Sequence, residues 1–455
     1  MACRTDYFER ILPDTLLAEN STMSLRLSVA FLLLLVGSLP SFAADAFPEF
    51  RGPRGDGTAD AKGLPTQWSE TQNIRWKVPV HGKGWSSPVV WGDQVWVTTA
   101  DEVGGGKLPD STKGAKENPI TSVSMYALAF DRNTGKLIHD IKLGTQDKPQ
   151  YCHPFNSYAS PTPAIEEGKL YAHFGSLGTW CVDTATGKVV WERRDLKCDH
   201  FRGPASSPII HDGKVYLIFD GVDLDYVIAL DKATGKTAWK ADRNIKYKST
   251  NPDYWKAYAT ARVLDVNGKK HLVCPSAECT IAYDPSTGTE LWRLTHGGMN
   301  GSARPIMGHG LMYLTSGHTG KLFAMKAESL AADVAAETAL WNAAKNVPSR
   351  PSLLLVGDLL FMVSDGGIAS CLDARTGSVN WSERIDGEYS SSPLFADGKI
   401  YVPNQTGKTF VLEAGKSFNP IGENKLDAGC MASPAAVGDA LYLRTKTHLY
   451  CIGKK

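Results

Sequence analysis

The chain has 455 residues, of which 42% are apolar and 21% charged, an ordinary globular balance that excludes wholesale disorder. Its 49 Lys and Arg offset 48 Asp and Glu, so no long-range field draws it to nucleic acid or an anionic membrane. A chain of this length is either several packed domains or one large repeat architecture.

In chain order, the first feature is an apolar run from Val29 to Val36, preceded by Arg26 and followed by Gly37, Pro40 and Ser41-Phe42-Ala43-Ala44. This pattern reads as an export signal cleaved after Ala43 or Ala44, because the run falls short of the roughly 20 apolar residues that a bilayer span needs. The stretch from Met1 to Thr22 carries two Arg against two Asp and two Glu, the wrong sign for the start of such a signal, so Met23 is read as the true start. Residues 1–44 are therefore assigned to the signal and its upstream extension. With no Cys beside the cleavage site for lipid attachment and no membrane span, the expectation is a soluble periplasmic or secreted chain. A leader, residues 45–72, follows, with Phe50-Arg51-Gly52-Pro53-Arg54-Gly55-Asp56-Gly57, then Leu64-Pro65 and Trp68-Ser69.

From residue 73 to the end one pattern recurs. Its first half starts at Ser87-Pro88, Ser160-Pro161, Ser207-Pro208, Ala259 to Val263, Arg304-Pro305, Arg350-Pro351, Ser392-Pro393 and Ser433-Pro434, which makes eight units. Each start leads into a short apolar run and a turn pair, such as Gly92-Asp93, Asp212-Gly213, Asn267-Gly268 or Asp397-Gly398. These residues tolerate the positive φ of two-residue hairpin turns. The second half is clearest from Ala229-Leu-Asp231 through Gly235 to Trp239 and from Ala282 to Trp292. Cys replaces Ala at Cys181 and Cys371, His139 replaces the first Trp, and the copies at Ala324–Trp341 and Val411–Leu426 are degenerate.

Each unit holds four short strands, the make-up of a propeller blade. The last unit lacks a fourth strand, ending at Tyr450-Cys451-Ile452, whereas Asn73 to Val78 looks like a lone fourth strand with its Trp76. The fold expected is all-β, an eight-bladed propeller of four-stranded antiparallel blades over residues 73–455, closed by the N-terminal strand so that no sheet edge is left open there.

The Ala-x-Asp-x-x-x-Gly-x-x-x-Trp spacing resembles the tryptophan-docking repeat of quinoprotein dehydrogenases and of the related lipoprotein propeller that assists outer-membrane protein assembly. The leader is similar to that of the PQQ-binding-like repeat proteins abundant in planctomycetes. The resemblance to quinoprotein enzymes implies PQQ, a calcium ion held by acidic and amide side chains, a base Asp and often a ring of two adjacent cysteines. The sequence has no adjacent cysteine pair and no alignable calcium ligands, so neither a catalytic residue nor a metal ligand is assigned.

In an up-and-down blade the first and third connections lie on one face, the second connection and the link to the next blade on the other. The first face carries short stereotyped turns, except for the Ala-rich stretch Lys326 to Leu340, which composition marks as a short helix. The opposite face carries irregular segments: Ala100 to Thr121, Tyr151 to Tyr158, Asp199 to Gly203 and Lys246 to Tyr258. A binding site on a rigid scaffold belongs on such segments. The candidate ligand-binding residues are Trp85, His153, Asn156, His200, Arg202, Asn300 and Tyr389, with Arg304 and Arg350. The two arginines precede the first-strand Pro of consecutive blades and either pair locally, Arg350 with Asp365 for example, or clamp an anion between them.

Cys274 and Cys279 flank a four-residue connection and form a candidate disulfide in an oxidising compartment. Two functions are carried forward: an exported, non-catalytic binding or scaffold module working through the irregular face, or a PQQ-dependent dehydrogenase. The partner classes for the first are a protein, a peptide or a small anionic ligand.

Overall fold

The computed structural model describes residues 46–105, 118–318 and 320–454. The export segment and Met23 lie outside the described residues. Eight sheets follow one another, each built on four antiparallel strands; the first also takes in a leader strand, the fourth a parallel strand from the following blade's outer connection, and the eighth joins both ends of the described chain. In that last blade, Ile74–Pro79 pairs with His448–Ile452, bringing Trp76 opposite Cys451. The ring is thus closed by the N-terminal strand, which caps a sheet edge that the C-terminal strands leave open.

The repeat is explained by one cross-strand triplet. A second-strand aromatic, a small third-strand residue and a fourth-strand Trp stand in register: Tyr171, Cys181 and Trp191; Tyr216, Ala229 and Trp239; Tyr313, Ala324 and Trp341; Phe361, Cys371 and Trp381; Tyr442, Cys451 and Trp76. The two rings lean over the small residue to centroid distances of 5.9–6.1 Å. Cys therefore interchanges with Ala because the space between two rings accepts only a small side chain. Each indole N–H then reaches the next blade: Trp76 donates to Arg132 O at 2.9 Å, Trp191 to Lys232 O at 2.9 Å and Trp239 to Pro285 O at 2.9 Å. The ring packs on the Gly of that turn, where a Cβ at Gly235 would meet Trp191 at 2.7 Å. His139 makes the same link from blade one, its Nε2 lying 3.2 Å from Thr184 O.

Blade seven breaks the pattern, and the leader repairs it. Tyr401 and Val411 are in place, but Gly422 stands where Trp is expected. Trp68 of the leader stacks on Tyr401 instead, with centroids 6.2 Å apart. Thr66 O passes 2.2 Å from where a Cβ of Gly422 would sit, so the missing side chain is what admits the leader. Asn424 holds it, accepting from the Trp68 N–H at 2.6 Å and donating to Thr66 O at 2.9 Å.

Further upstream the leader occupies the propeller axis. Ala46–Phe47 pairs with Val89–Trp91, the innermost strand of blade one. Arg51, 2% exposed and at φ 73°, donates to carbonyls of Asp56, Leu353 and Pro393, the last two from blades six and seven. Burial, then the like charges of Arg262 and Arg304, pull Arg51 down to about 9, against the opposing pull of Asp56. Gly57 belongs to the same device, since a Cβ there would lie 2.3 Å from the Arg51 guanidinium.

Around the axis, the residue before each first strand forms a belt. The N–H of Ser87 donates to Thr162, Thr162 to Ser207 and Ser207 to Thr260; Arg304 donates to Ser352, Ser352 to Ser392, Ser392 to Ser433 and Ser433 to Ser87, all at 2.8–3.0 Å. Only the step from Thr260 to blade five is missing, because Arg304 offers no hydroxyl there.

Two sequence readings are corrected. Blades two and six enter their first strands two residues later than the Ser-Pro and Arg-Pro pairs suggested, at Thr162-Pro163 and Ser352-Leu353. The stretch 326–340 is not a helix: two 3-10 turns, Ala327–Ser329 and Ala336–Thr338, flank the strand Ala332–Ala335. That strand pairs in parallel with Glu290–Thr295 of blade four, where an open sheet edge satisfies more backbone groups than an isolated short helix would. Trp292 turns to its own blade, its indole donating to His271 Nδ1 at 2.9 Å, because blade five lacks the usual turn to receive it.

Two outcomes follow. A chain beginning at Val80 exposes the His448–Ile452 edge and empties the axis, so it should aggregate or lose its cooperative transition in calorimetry; unchanged melting would refute the closure. Trp68→Ala should cost about 3–5 kcal/mol, read as a lower urea midpoint, since it removes a buried ring with no neighbour able to fill the slot.

A candidate ligand cavity on the link face

The links between blades converge on a cavity of about 850 Å³ around the axis. Its base includes Ser87, Thr162, Ser207, Thr260, Ser392 and Ser433 of the hydroxyl belt, and Phe50 of the leader closes the end toward the turn face. The cavity is therefore a cup open on the link face.

Its walls are set by local structure. The link 246–258 is pinned by Trp255, whose indole donates to Ser249 O at 2.6 Å and stacks on Tyr247, and by Asn251, which caps the turn Pro252–Tyr254 through the Asp253 N–H. This aims Asp253 at Arg202, 2.7 Å away. Arg350 meets Asp365 at 2.6 Å, and the second oxygen of Asp365 accepts from the Ser349 N–H and hydroxyl. Across the cup, the Arg350 guanidinium lies 4.8 Å from the ring centre of Phe155. Trp85 steadies that loop by donating to Phe155 O at 3.1 Å. His153 Nδ1 accepts from the Phe155 N–H at 3.1 Å, which leaves its ring proton on Nε2; burial and then the charges of Arg202 and Lys83 lower its pKa and keep it neutral. Asn156 is fully engaged, donating to Arg202 O and Pro204 O and accepting from Ser160. Tyr258 Oη and Asn300 Oδ1 are buried without a hydrogen-bond partner in the protein.

Of the candidate residues, Trp85, His153, Asn156, Arg202, Asn300 and Arg350 line the cup. Tyr389 does not: it is fully buried, its hydroxyl donating to Asp386 O at 2.8 Å. His200 lies behind the wall, stacked on Phe219, its Nε2 accepting from the Ser176 N–H. Arg304 and Arg350 do not act together. Arg304 occupies the belt position itself and turns to the leader, binding Phe50 O at 2.6 Å and Glu49 at 2.8 Å, while Arg350 sits two residues before the belt and faces the cup. Arg350 takes the local pairing with Asp365, and the clamp is not formed because the two Arg-Pro dipeptides look equivalent in sequence while their strands start at different offsets. Cys274 and Cys279 are both free and buried: Cys274 is opposite Ile281 and Cys279 opposite Thr295, so their connection does not place them across from each other.

Sequence reasoning missed Asp253, Tyr258, Phe155, Met299 and Met431 as cup residues. Asn251-Pro252-Asp253 was a legible capping signal. Nothing in the sequence marks Met299 or Met431.

Behind the wall lies a buried ionic cluster. Asp220 and Asp225 face each other across two strands of blade three. Asp220 accepts from Ser276 Oγ and the Ala257 N–H, and its backbone oxygen accepts from Lys256 Nζ at 2.6 Å. Lys256 O in turn receives the Asn300 N–H at 2.8 Å, so the cluster sets the position of a cup residue. Arg243, wholly buried, lies 3.6 Å from Asp220, and Tyr247 donates to Asp225 at 2.5 Å.

Set beside known proteins, the chain matches at 58–218 and 223–455 the family model described as outer membrane protein assembly factor BamB. The chain belongs to this BamB family. BamB from Moraxella catarrhalis superposes with a TM-score of 0.55 at 14% identity, covering 83% of this chain and 99% of that one. Quinohemoprotein alcohol dehydrogenase from Comamonas testosteroni superposes with a TM-score of 0.60 at 12% identity, covering 91% and 81%. The computationally designed Ika8 protein does so with 0.56 at 10% identity, covering 86% and 100%. At such identities the likeness is one of fold alone. No curated protein matches the sequence. Among the described residues of this BamB-family propeller, no helix is long and apolar enough to cross a membrane.

The cluster makes a pH prediction. Burial and then the charge of Asp220 push the Asp225 carboxyl up to about 8, against roughly 3.9 unfolded, with Arg243 and the Tyr247 hydrogen bond opposing. The folded state therefore holds a proton that the unfolded chain has lost, and this contribution to stability is present below about pH 4 and declines as pH rises toward 8. Asp225→Asn should remove that part of the decline, so the difference between variant and wild type in urea unfolding should grow in favour of the variant across this window.

Proposed function

We propose that the protein is an exported, non-catalytic binding module that takes its ligand in the cup on the link face. One observation carries this reading: the cup combines unpaired polar atoms, Tyr258 Oη and Asn300 Oδ1, with charged groups already neutralised in pairs, an arrangement suited to holding a ligand rather than activating one. The BamB-family membership, whose description is of an assembly factor, supports a module that works by contact. Export to the periplasm or beyond rests on the N-terminal signal pattern.

The dehydrogenase alternative has a cofactor requirement that the donor set does not fit. Calcium takes six to eight oxygen ligands, whereas Asp253 and Asp365 are each engaged by an arginine. Among the described residues no three His, Cys, Asp or Glu side chains group as a metal site. PQQ is a tricarboxylate, and Arg202 and Arg350 bring no surplus positive charge to meet it.

Equilibrium dialysis and absorption spectra with PQQ and calcium, followed by dye-linked oxidation of an alcohol and sugar panel, test the proposal. The expected result is neither stoichiometric PQQ uptake nor turnover. Robust turnover would overturn it.

A further inference from the structure

The chemistry of the cup points to a class of ligand, on the reading that this cup is the binding site. We propose that it binds an uncharged, polyhydroxylated molecule: a neutral oligosaccharide segment.

Arg202 is matched by Asp253 at 2.7 Å and Arg350 by Asp365 at 2.6 Å, with all four side chains only 23–30% exposed. His153 is neutral, lowered by burial and by Arg202 and Lys83. Both guanidinium groups are thus matched, and an anionic ligand would have to compete with carboxylates already seated on them. It would leave an uncompensated negative charge in a partly desolvated site. A cationic ligand meets the converse problem.

Hydrogen-bonding capacity is plentiful all the same. Asp365 is saturated by Arg350 and Ser349, and Arg350 is bonded to it through Nε and the backbone N–H, with its guanidinium set against the Phe155 ring. Tyr258 Oη, which both donates and accepts, and Asn300 Oδ1, an acceptor, lack partners although both are buried. Asn300 is held at φ 54° with its N–H on Lys256 O, so its side chain is placed by the backbone and not by a hydrogen bond of its own. A hydroxyl donates and accepts at once, so a row of hydroxyls can satisfy donors and acceptors that alternate around a wall. Trp85, whose ring lines the cup, supplies a flat apolar surface that the C–H face of a sugar ring covers. The hydroxyl belt at the base adds further small polar groups, and about 850 Å³ accommodates more than one sugar ring.

The test is a printed array of neutral and acidic oligosaccharides, probed with the fluorescently labelled full chain. Titration calorimetry on the best neutral binder then compares wild type with Tyr258→Phe, Asn300→Asp and Trp85→Ala. Neutral glycans should bind, acidic ones should not, and each variant should weaken binding at least tenfold. Tyr258→Phe is the cleanest variant, since its hydroxyl has no partner in the fold and its loss should leave the melting temperature unchanged. Binding confined to acidic glycans, or neutral binding that ignores all three variants, overturns the proposal. If the array is blank but peptides selected from a random library bind in a manner lost in Trp85→Ala, the ligand class falls and the cup stands as a binding site. If neither array nor peptide library yields a ligand sensitive to Trp85→Ala, both readings fall.

Discussion

A closed ring is only as secure as its weakest junction, and here five of the eight junctions depend on a fourth-strand indole reaching the turn of the next blade. The ring packs on a glycine that can carry no side chain, and its N–H satisfies a carbonyl that would otherwise be buried unpaired. Blade one makes a counterpart of the contact through His139, and blade four does without it, its Trp292 bonding His271 instead. Blade seven has no Trp of its own at Gly422, and blade five has no hydroxyl at Arg304. The leader meets both failures, inserting Trp68 beside Tyr401 and offering Phe50 O and Glu49 to Arg304.

The leader also gives the cup its floor. Without Phe50 and Arg51 across the axis, the central space would be a channel open at both faces and lined by the hydroxyl belt. With them it is a cup, closed on the turn face and built on the link face from segments that owe nothing to the repeat. Arg51 is a costly residue to bury, and it persists because backbone carbonyls of blades six and seven, with one from the leader itself, accept from it. That places the Phe50-Arg51-Gly52 stretch among the structural elements of the propeller and not among its flexible ends.

The link face shows how a regular scaffold acquires a particular site. The belt positions are nearly uniform, while the walls differ from blade to blade, from the Phe155 loop on one side to Arg350 and Asp365 on the other. Behind them, the Asp220–Lys256 contact ties a buried ionic cluster of blade three to the backbone that presents Asn300. Changes to the cluster therefore reach the cup without touching it.

Blade number, hairpin turns, the Trp repeat and the two-ended closing blade were all legible in the sequence, because each rests on local spacing: period-two strands, Gly-Asp turns and a fixed interval from Ala or Cys to Trp. So was the face on which irregular segments gather, and with it Trp85, His153, Asn156, Arg202, Asn300 and Arg350. Only the tertiary structure decided what depends on contacts between distant segments. It set Trp68 in the slot of blade seven, parted Arg304 from Arg350, withdrew Tyr389 and His200 into the interior, and left Cys274 and Cys279 out of register. The stretch 326–340 became a strand because a neighbouring blade offered it an edge. Local spacing carries no information about such partners, which are fixed by the closure of the ring and by the path of the leader through it.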